Sequence, residues 1–305
     1  MIQTSKHALT VNDAAVPDAL VEELRPADMN GDLAQQLGEH GFLLLRDVHD
    51  PVEVDAARQE VLHRLAEVGE VSDPAESGLA SGLSRRREIY PTTEDLGAFW
   101  RSVSEGKAVR SVINGPRITR VMRQLFQEPV QHFSFAWLRA MTAGRASPLH
   151  VDHPYMNRGS KRLVTCWSPL CRIRLGDGPL YILEGSHTWP DIRRQFEGHD
   201  VDRDPSRPGH IEESPITLAE RKASKFLTTE FNLGDCLVFG MFTVHGSFDN
   251  NAANGLIRLS CDTRFQPAAD PMDDRFAGPD PAAHNGLGYG CLSAARPLTE
   301  TSVLR

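Results

Sequence analysis

From about Val130 onward the chain consists of short runs rich in β-branched and aromatic residues, at 132–141, 163–167, 180–183, 236–239 and 257–265. Turn residues separate these runs, and no helical period connects them. That pattern points to an antiparallel sandwich or barrel rather than a parallel sheet, which would need a helix between successive strands. The N-terminal part reads differently. Residues 32–40 form an amphipathic helical stretch stopped by Gly41, and 42–45 is an apolar run suited to a buried strand. From Pro51, which suits a first helical turn, Val54, Ala57, Val61, Leu62, Leu65 and Val68 recur at helical spacing. Residues 71–90 read as a surface loop ending in Ser84, Arg85, Arg86 and Arg87, and another helical tract spans Ile118 to Phe126. The arginine run reads as a solvated charge run, with contact between residues 84–90 and an anionic substrate as the alternative. One domain over residues 1–305 is expected, with 1–30 as an N-terminal extension. The long polar tract at 190–228 then reads as a lid insertion.

A chain of 305 residues that is 40% hydrophobic can bury a substantial core. Its net charge of -8, with Lys and Arg scattered, offers no basic footprint for nucleic acid. No run approaches the roughly 20 apolar residues of a membrane-spanning helix, and the first residues lack a secretory apolar stretch. The expectation is a cytoplasmic protein acting on a small molecule, with neither nucleic acid nor membrane as partner; the oligomeric state is not legible. Cys166, Cys171, Cys236, Cys261 and Cys291 form no CxxC pair, so buried reduced thiols are expected rather than disulfides or a zinc site.

The segment with the most chemistry is Pro148-Leu149-His150-Val151-Asp152-His153-Pro154. On an extended strand, positions i and i+2 share a face, so His150 and Asp152 can offer a nitrogen and a carboxylate oxygen to one metal ion. Alone, the triplet better suits a surface turn before Pro154. Downstream, the apolar run beginning at Leu237 reaches His245 beside Gly246, and an isolated histidine there also suits a satisfied strand end. Together, two histidines and one carboxylate make the facial set that leaves iron positions open for a bidentate co-substrate and O2. Arg258, Leu259 and Ser260 follow a turn-like stretch at 249–255, so a hairpin there would return the chain beside the His245 strand. Arg258 and Ser260 would share a face, giving a guanidinium fork and a hydroxyl suited to a carboxylate. A solvent-facing strand arginine is the alternative.

In this order, the motifs resemble the phytanoyl-CoA dioxygenase-like (PhyH) family of Fe(II)/2-oxoglutarate oxygenases. The series is His150 to Asp152, Trp167, Asp177-Gly178, Glu184 to His187, His245-Gly246-Ser247 and Arg258 to Ser260, and the resemblance covers about Phe42 to Phe265. It implies a mainly β fold: a double-stranded β-helix (jelly-roll, cupin-like) core with an N-terminal helical layer. It implies Fe(II) held by His150, Asp152 and His245, and 2-oxoglutarate anchored by Arg258 with help from Ser260 and Trp167. Arg139 is a candidate for the other carboxylate of the co-substrate, or else an exposed strand residue. Val151 and Asp177 depart from the residues common in the family, and neither touches the metal. The implied reaction is hydroxylation of a C–H bond in a small organic metabolite, with secondary metabolism as the expected setting, coupled to decarboxylation of 2-oxoglutarate to succinate. Asp152 argues against halogenation, whose enzymes lack the carboxylate. Desaturation, cyclisation or epimerisation at the same iron, and a non-catalytic metal-binding β-sandwich, stay open. His153 and Tyr155 stand where they face either substrate or scaffold, and His187 reads as a turn former.

Overall fold

The computed structural model describes residues 9–144 and 147–300. A small hairpin of β1 (Thr10–Val11) and β2 (Ala14–Ala15) and strand β3 (Val21–Glu23) precede helix α1 (Leu33–His40). The Asp32 side chain caps α1 by accepting from the Gln35 amide, and Gly41 ends it in the left-handed region at φ 78°. A side chain at Gly41 would run into the His187 ring, so this stop is also a close packing point. Strand β4 (Phe42–Leu45) has the bounds expected from its sequence. Helix α2 (Pro51–Glu67) starts on Pro51 and buries Val54, Ala57, Val61, Leu62 and Leu65, as its spacing requires.

Helices α3 (Arg86–Ile89), α4 (Thr93–Ser104), α5 (Lys107–Ile113) and α6 (Pro116–Phe126) complete the N-terminal layer. Only α6 is expected from the sequence. The capping box between Thr92 and Asp95 marks the start of α4 and is the signal that identifies it in retrospect. The arginine run is also not what its composition suggests. Arg85 and Arg87 are exposed, but Arg86 is wholly buried and ion-paired with Glu70.

The rest of the chain supplies β5 (Val130–His132), β6 (Trp137–Met141), β7 (Val164–Pro169), β8 (Leu180–Leu183), β9 (Phe226–Thr228), β10 (Cys236–Gly240), β11 (His245–Ser247) and β12 (Arg258–Pro267). Helices α7 (Pro190–Phe196) and α8 (Pro215–Arg221) lie between β8 and β9. The larger sheet has the order β4-β10-β7-β12-β5, with β6 also paired to β12; the smaller has the order β11-β8-β9-β3. Pairings are antiparallel except β3 with β9. The expected run at 132–141 is thus broken into β5 and β6. The tract at 190–228 contains both short helices, and its last residues, as β9, belong to the sheet framework.

Alternation along the strands sorts the side chains into layers. Trp167, Leu237 and Phe239 of the larger sheet meet Leu180, Ile182 and Leu227 of the smaller one in the inter-sheet core. On the outer face, Leu43, Leu45, Val164 and Cys166 pack with α1 and α6, while Leu138, Leu259 and Cys261 pack with α2, α4 and α5. Helices α7 and α8 cover Tyr181, Leu183 and Phe226 behind the smaller sheet. This is a jelly-roll core of two facing sheets with flanking helices. All five cysteines are free, and among the described residues no helix is long and apolar enough to cross a membrane.

One buried histidine on the outer face yields a stability prediction. His49 is 3% exposed and its Nε2 lies 3.0 Å from the Ser168 hydroxyl; burial first, then Arg117, lowers its pKa to about 4. The fold therefore keeps it neutral, whereas the unfolded chain protonates it below about 6.5. The resulting stability is complete above that value and is lost as pH falls towards 4. His49→Gln is expected to remove up to about 3 kcal/mol of the stability loss between pH 7 and pH 4. Urea unfolding of both proteins across that range checks this, and parallel pH profiles would refute it.

Candidate metal centre

His150 and His245 are direct neighbours across an isolated antiparallel bridge, the amide of each donating to the carbonyl of the other at 2.9 and 3.0 Å. Their rings are 4.2 Å apart between centroids. The ligand segment is not the extended strand that its spacing suggests. Only His150 makes a bridge, and Asp152, at φ -76° and ψ -20°, turns the chain into a 3-10 turn over His153–Tyr155. The turn still brings Asp152 inward, with Oδ1 3.5 Å from His150 Nε2 and 3.8 Å from His245 Nε2. One ligand atom from each of the three side chains lies within 4.8 Å of the others.

Each imidazole donates its Nδ1–H to a backbone carbonyl, His150 to Pro148 at 2.8 Å and His245 to Thr243 at 2.9 Å. A ring nitrogen can bond a carbonyl only as donor, which commits Nδ1 in both rings and leaves Nε2, facing Asp152, as the atom that can ligate. Burial, with His150 beside it, lowers the His245 pKa to about 4, which keeps that ring neutral and able to ligate at neutral pH. Burial alone would raise the Asp152 pKa. Arg264 and the two histidines more than offset it and hold the carboxyl well below its ordinary range. Asp152 Oδ2 accepts from Arg264 at 3.1 Å and from the Thr165 hydroxyl, leaving Oδ1 to face the imidazoles. Two imidazole nitrogens and one ionised carboxylate oxygen are a donor set suited to ferrous iron.

Two expectations about the strands need correction. His245 does not end the apolar strand that precedes it: β10 stops at Gly240, and the chain crosses to the other sheet before His245 opens β11. Nor does β12 return beside the His245 strand. It pairs with β7, β6 and β5 in the larger sheet, so Arg258 approaches from across the sandwich.

On β12, Arg258, Ser260, Asp262 and Arg264 alternate onto the inner face, level with Met141, Arg139 and Trp137 of β6. Arg258 is 4% exposed, and among the described residues no carboxylate lies within ion-pair distance of it. Its Nη1 meets Met141 Sδ at 3.1 Å, its Cζ lies 5.8 Å from the Trp167 ring, and burial lowers its pKa to about 10. Arg258 Nε and Ser260 Oγ are buried without a hydrogen-bond partner. Unsatisfied donors of this kind are costly in a native interior and mark a place where an anion fits. Arg139 is half-buried rather than exposed, and it pairs through Nε with Asp262 at 2.9 Å.

A cavity of about 510 Å³ opens onto the triad, with Trp137, Arg139, Tyr155, Arg264 and Leu292 in its wall beside His150 and Asp152. Arg258 borders a separate cavity of about 250 Å³ beside Cys171 and Asp177. A larger cavity of about 690 Å³ lies behind the ligand loop and shares only Met156 with the first; His153 belongs there, stacked on Phe242 at 4.4 Å. Tyr155 thus faces the triad cavity and His153 does not. His187 bonds the Gly38 carbonyl at 3.2 Å, a contact with the distant helix α1 rather than within its own turn.

The sequence reading missed Arg264, Asp262 and Thr165, together with the C-terminal residues that line the cavity. For the first two the signal was present: they continue the every-second-residue pattern begun by Arg258 and Ser260. The others depend on tertiary contacts.

Among protein families, the phytanoyl-CoA dioxygenase (PhyH) model matches residues 37–258. No curated protein matches the chain. Among solved structures, the non-heme alpha ketoglutarate dependent epimerase SnoN from nogalamycin biosynthesis, in complex with Fe3+, alpha ketoglutarate and nogalamycin RO, aligns with a TM-score of 0.54. It is 19% identical, over 82% of this chain and 91% of its own. The carbocyclase SnoK aligns at 0.53 with 17% identity, over 84% and 92% of the two chains. EctD from S. alaskensis aligns at 0.53 with 16% identity, over 85% and 84%. At these identities the likeness establishes a shared fold.

Proposed function

The chain belongs to the phytanoyl-CoA dioxygenase (PhyH) family, and from that premise we propose that this iron- and 2-oxoglutarate-dependent oxygenase hydroxylates a C–H bond of a small organic metabolite. In this reading His150, Asp152 and His245 hold Fe(II), Arg258 and Ser260 receive the distal carboxylate of 2-oxoglutarate, and Trp167 packs beside it. Arg139 makes no hydrogen bond with the described protein except through Nε, and it would offer its Nη groups to the second carboxylate. The observation that carries the reading is the buried Arg258 guanidinium without a carboxylate, next to the unpartnered Ser260 hydroxyl. A metal-binding scaffold without turnover has no use for such an anion clamp.

With iron, 2-oxoglutarate and O2 bound, the site supplies oxidative decarboxylation of the co-substrate to succinate and CO2, coupled to oxidation of a C–H bond. The chain's own residues do the positioning. The Nδ1–H bonds to Pro148 and Thr243 fix the imidazole planes, and Arg264 and Thr165 fix the carboxylate. Trp137 and Tyr155 wall the cavity and limit water beside the triad. A reducing cytoplasm fits both ferrous iron and five free thiols.

Anaerobic addition of Fe(II) and 2-oxoglutarate tests the assignment: chelation should produce a weak visible charge-transfer band, and admitting O2 should release succinate. The proposal fails if the wild-type protein gives neither. SnoN and SnoK are titled an epimerase and a carbocyclase, so product mass decides the outcome: one added oxygen supports hydroxylation, whereas loss of two hydrogens or an unchanged mass replaces it.

A further inference from the structure

The triad cavity is closed on one side by the C-terminal strap, from His284 to Arg296, which contributes Gly290, Cys291, Leu292 and Ser293 to the wall. A segment of short 3-10 turns has little stability of its own, so its path is set by what grips it. Three anchors do so. The Tyr289 ring stacks on Phe135 at 4.3 Å, and its hydroxyl accepts from the Ala136 amide at 3.2 Å. The α4 backbone touches the strap at Gly97, where a Cβ would lie 2.8 Å from the Gly290 amide nitrogen. The third anchor is Arg86.

Arg86 is fully buried, with its guanidinium over Trp100 and Phe99, each 5.2 Å from Cζ. Nη2 pairs with Glu70, while Nη1 donates to the carbonyls of Ala294 and Arg296 at 2.8 and 2.6 Å. Glu70 Oε1 accepts in turn from the Leu298 amide at 3.1 Å. A buried ion pair is weak evidence for stability as such. Here it holds two otherwise unmet carbonyls of the segment that walls the cavity and an amide two residues beyond it. We propose that the strap is the substrate-facing specificity wall of the site and that Arg86 is its positioning residue, setting where Leu292 and Ser293 stand relative to the triad. This inference rests on the proposed oxygenase reading only for where substrate binds.

The test compares Arg86→Lys, and the pair Arg86→Met with Glu70→Gln, against wild type. Lysine can keep the charge pair but lacks the fork that spans Glu70 and both carbonyls, and the double variant leaves no unpaired buried charge. The readouts are Cys291 alkylation followed by mass spectrometry, amide exchange over 284–298, the anaerobic Fe(II)/2-oxoglutarate band, and succinate release without substrate. Cys291 is largely buried, and its thiol pKa is raised to about 11, so it labels slowly in the native protein. Both variants are expected to label Cys291 about tenfold faster and to lose protection in the strap. The band should stay intact, and substrate-free succinate release should rise about threefold as water and O2 reach the site. A strap that stays protected in both variants overturns the role of Arg86. A freed strap with unchanged succinate release overturns its role as the cavity wall. Absence of the band from the wild-type protein instead removes the oxygenase reading and is recognisable as such.

Discussion

Replacing Arg258 with methionine is expected to raise the thermal stability of the co-substrate-free protein while weakening 2-oxoglutarate binding about 100- to 1,000-fold. The two effects share one cause. Arg258 is a cation 4% exposed, with Nε unbonded and no carboxylate within ion-pair reach among the described residues. Burial lowers its pKa to about 10, so the fold disfavours the charged form that persists at neutral pH. Methionine fills similar volume beside Met141 and Trp167 without that desolvation, a gain on the order of 1–3 kcal/mol. In the proposed reading the same change removes the fork for the co-substrate's distal carboxylate. Differential scanning calorimetry and anaerobic titration of the charge-transfer band would measure the two effects together. At saturating 2-oxoglutarate the band should return, because chelation at the metal does not use Arg258. A variant less stable than wild type but equally able to bind 2-oxoglutarate would show that Arg258 serves the fold instead.

The opposite pattern is expected at Asp152. This carboxylate is the partner of Arg264 at 3.1 Å as well as the oxygen donor of the triad, and both side chains are nearly inaccessible. Asp152→Ala should abolish stoichiometric iron binding, because two imidazoles alone do not complete the facial set. It should also cost about 3–5 kcal/mol, since Arg264 is left as a buried cation without an anion. Nε and Nη1 of Arg264 already lack partners, so no other described group is poised to take up the charge. Adding Arg264→Met to Asp152→Ala should recover most of the stability and none of the iron. Urea unfolding with iron titration across the double-mutant cycle separates the two roles. Single and double variants of equal stability would mean that the pair contributes nothing to the fold.

The two cases differ in whether the buried charge has a partner within the fold: Asp152 pairs with Arg264, whereas Arg258 has no carboxylate within ion-pair reach among the described residues. The inner face of β12 carries Arg258, Ser260, Asp262 and Arg264 into the jelly-roll interior, beside the apolar inter-sheet core of Trp167, Leu237 and Phe239. Asp262 and Asp152 neutralise two neighbouring arginines, Arg139 and Arg264, leaving Arg258 as the guanidinium on this face without an anion. A substrate anion that supplies the missing charge would therefore both bind and stabilise.

Local sequence was sufficient wherever the deciding interaction is local. The bounds of β4 and β8, the glycine stop of α1, and the buried stripe of α2 all follow from periodicity and turn chemistry that act within a few residues. The candidate ligands His150, Asp152 and His245 were legible because their residue types and order are distinctive, although the extended strand assumed to align His150 with Asp152 is replaced by a turn at Asp152. Tertiary structure alone decided the rest. It moved His245 to the sheet opposite Arg258, buried Arg86 out of an apparently solvated run, and folded the C-terminal strap over the cavity. Those outcomes depend on pairings between residues tens to hundreds of positions apart. Such contacts form only when the sheets close on each other, and no local pattern of polarity records which distant carbonyl or carboxylate will then be in reach.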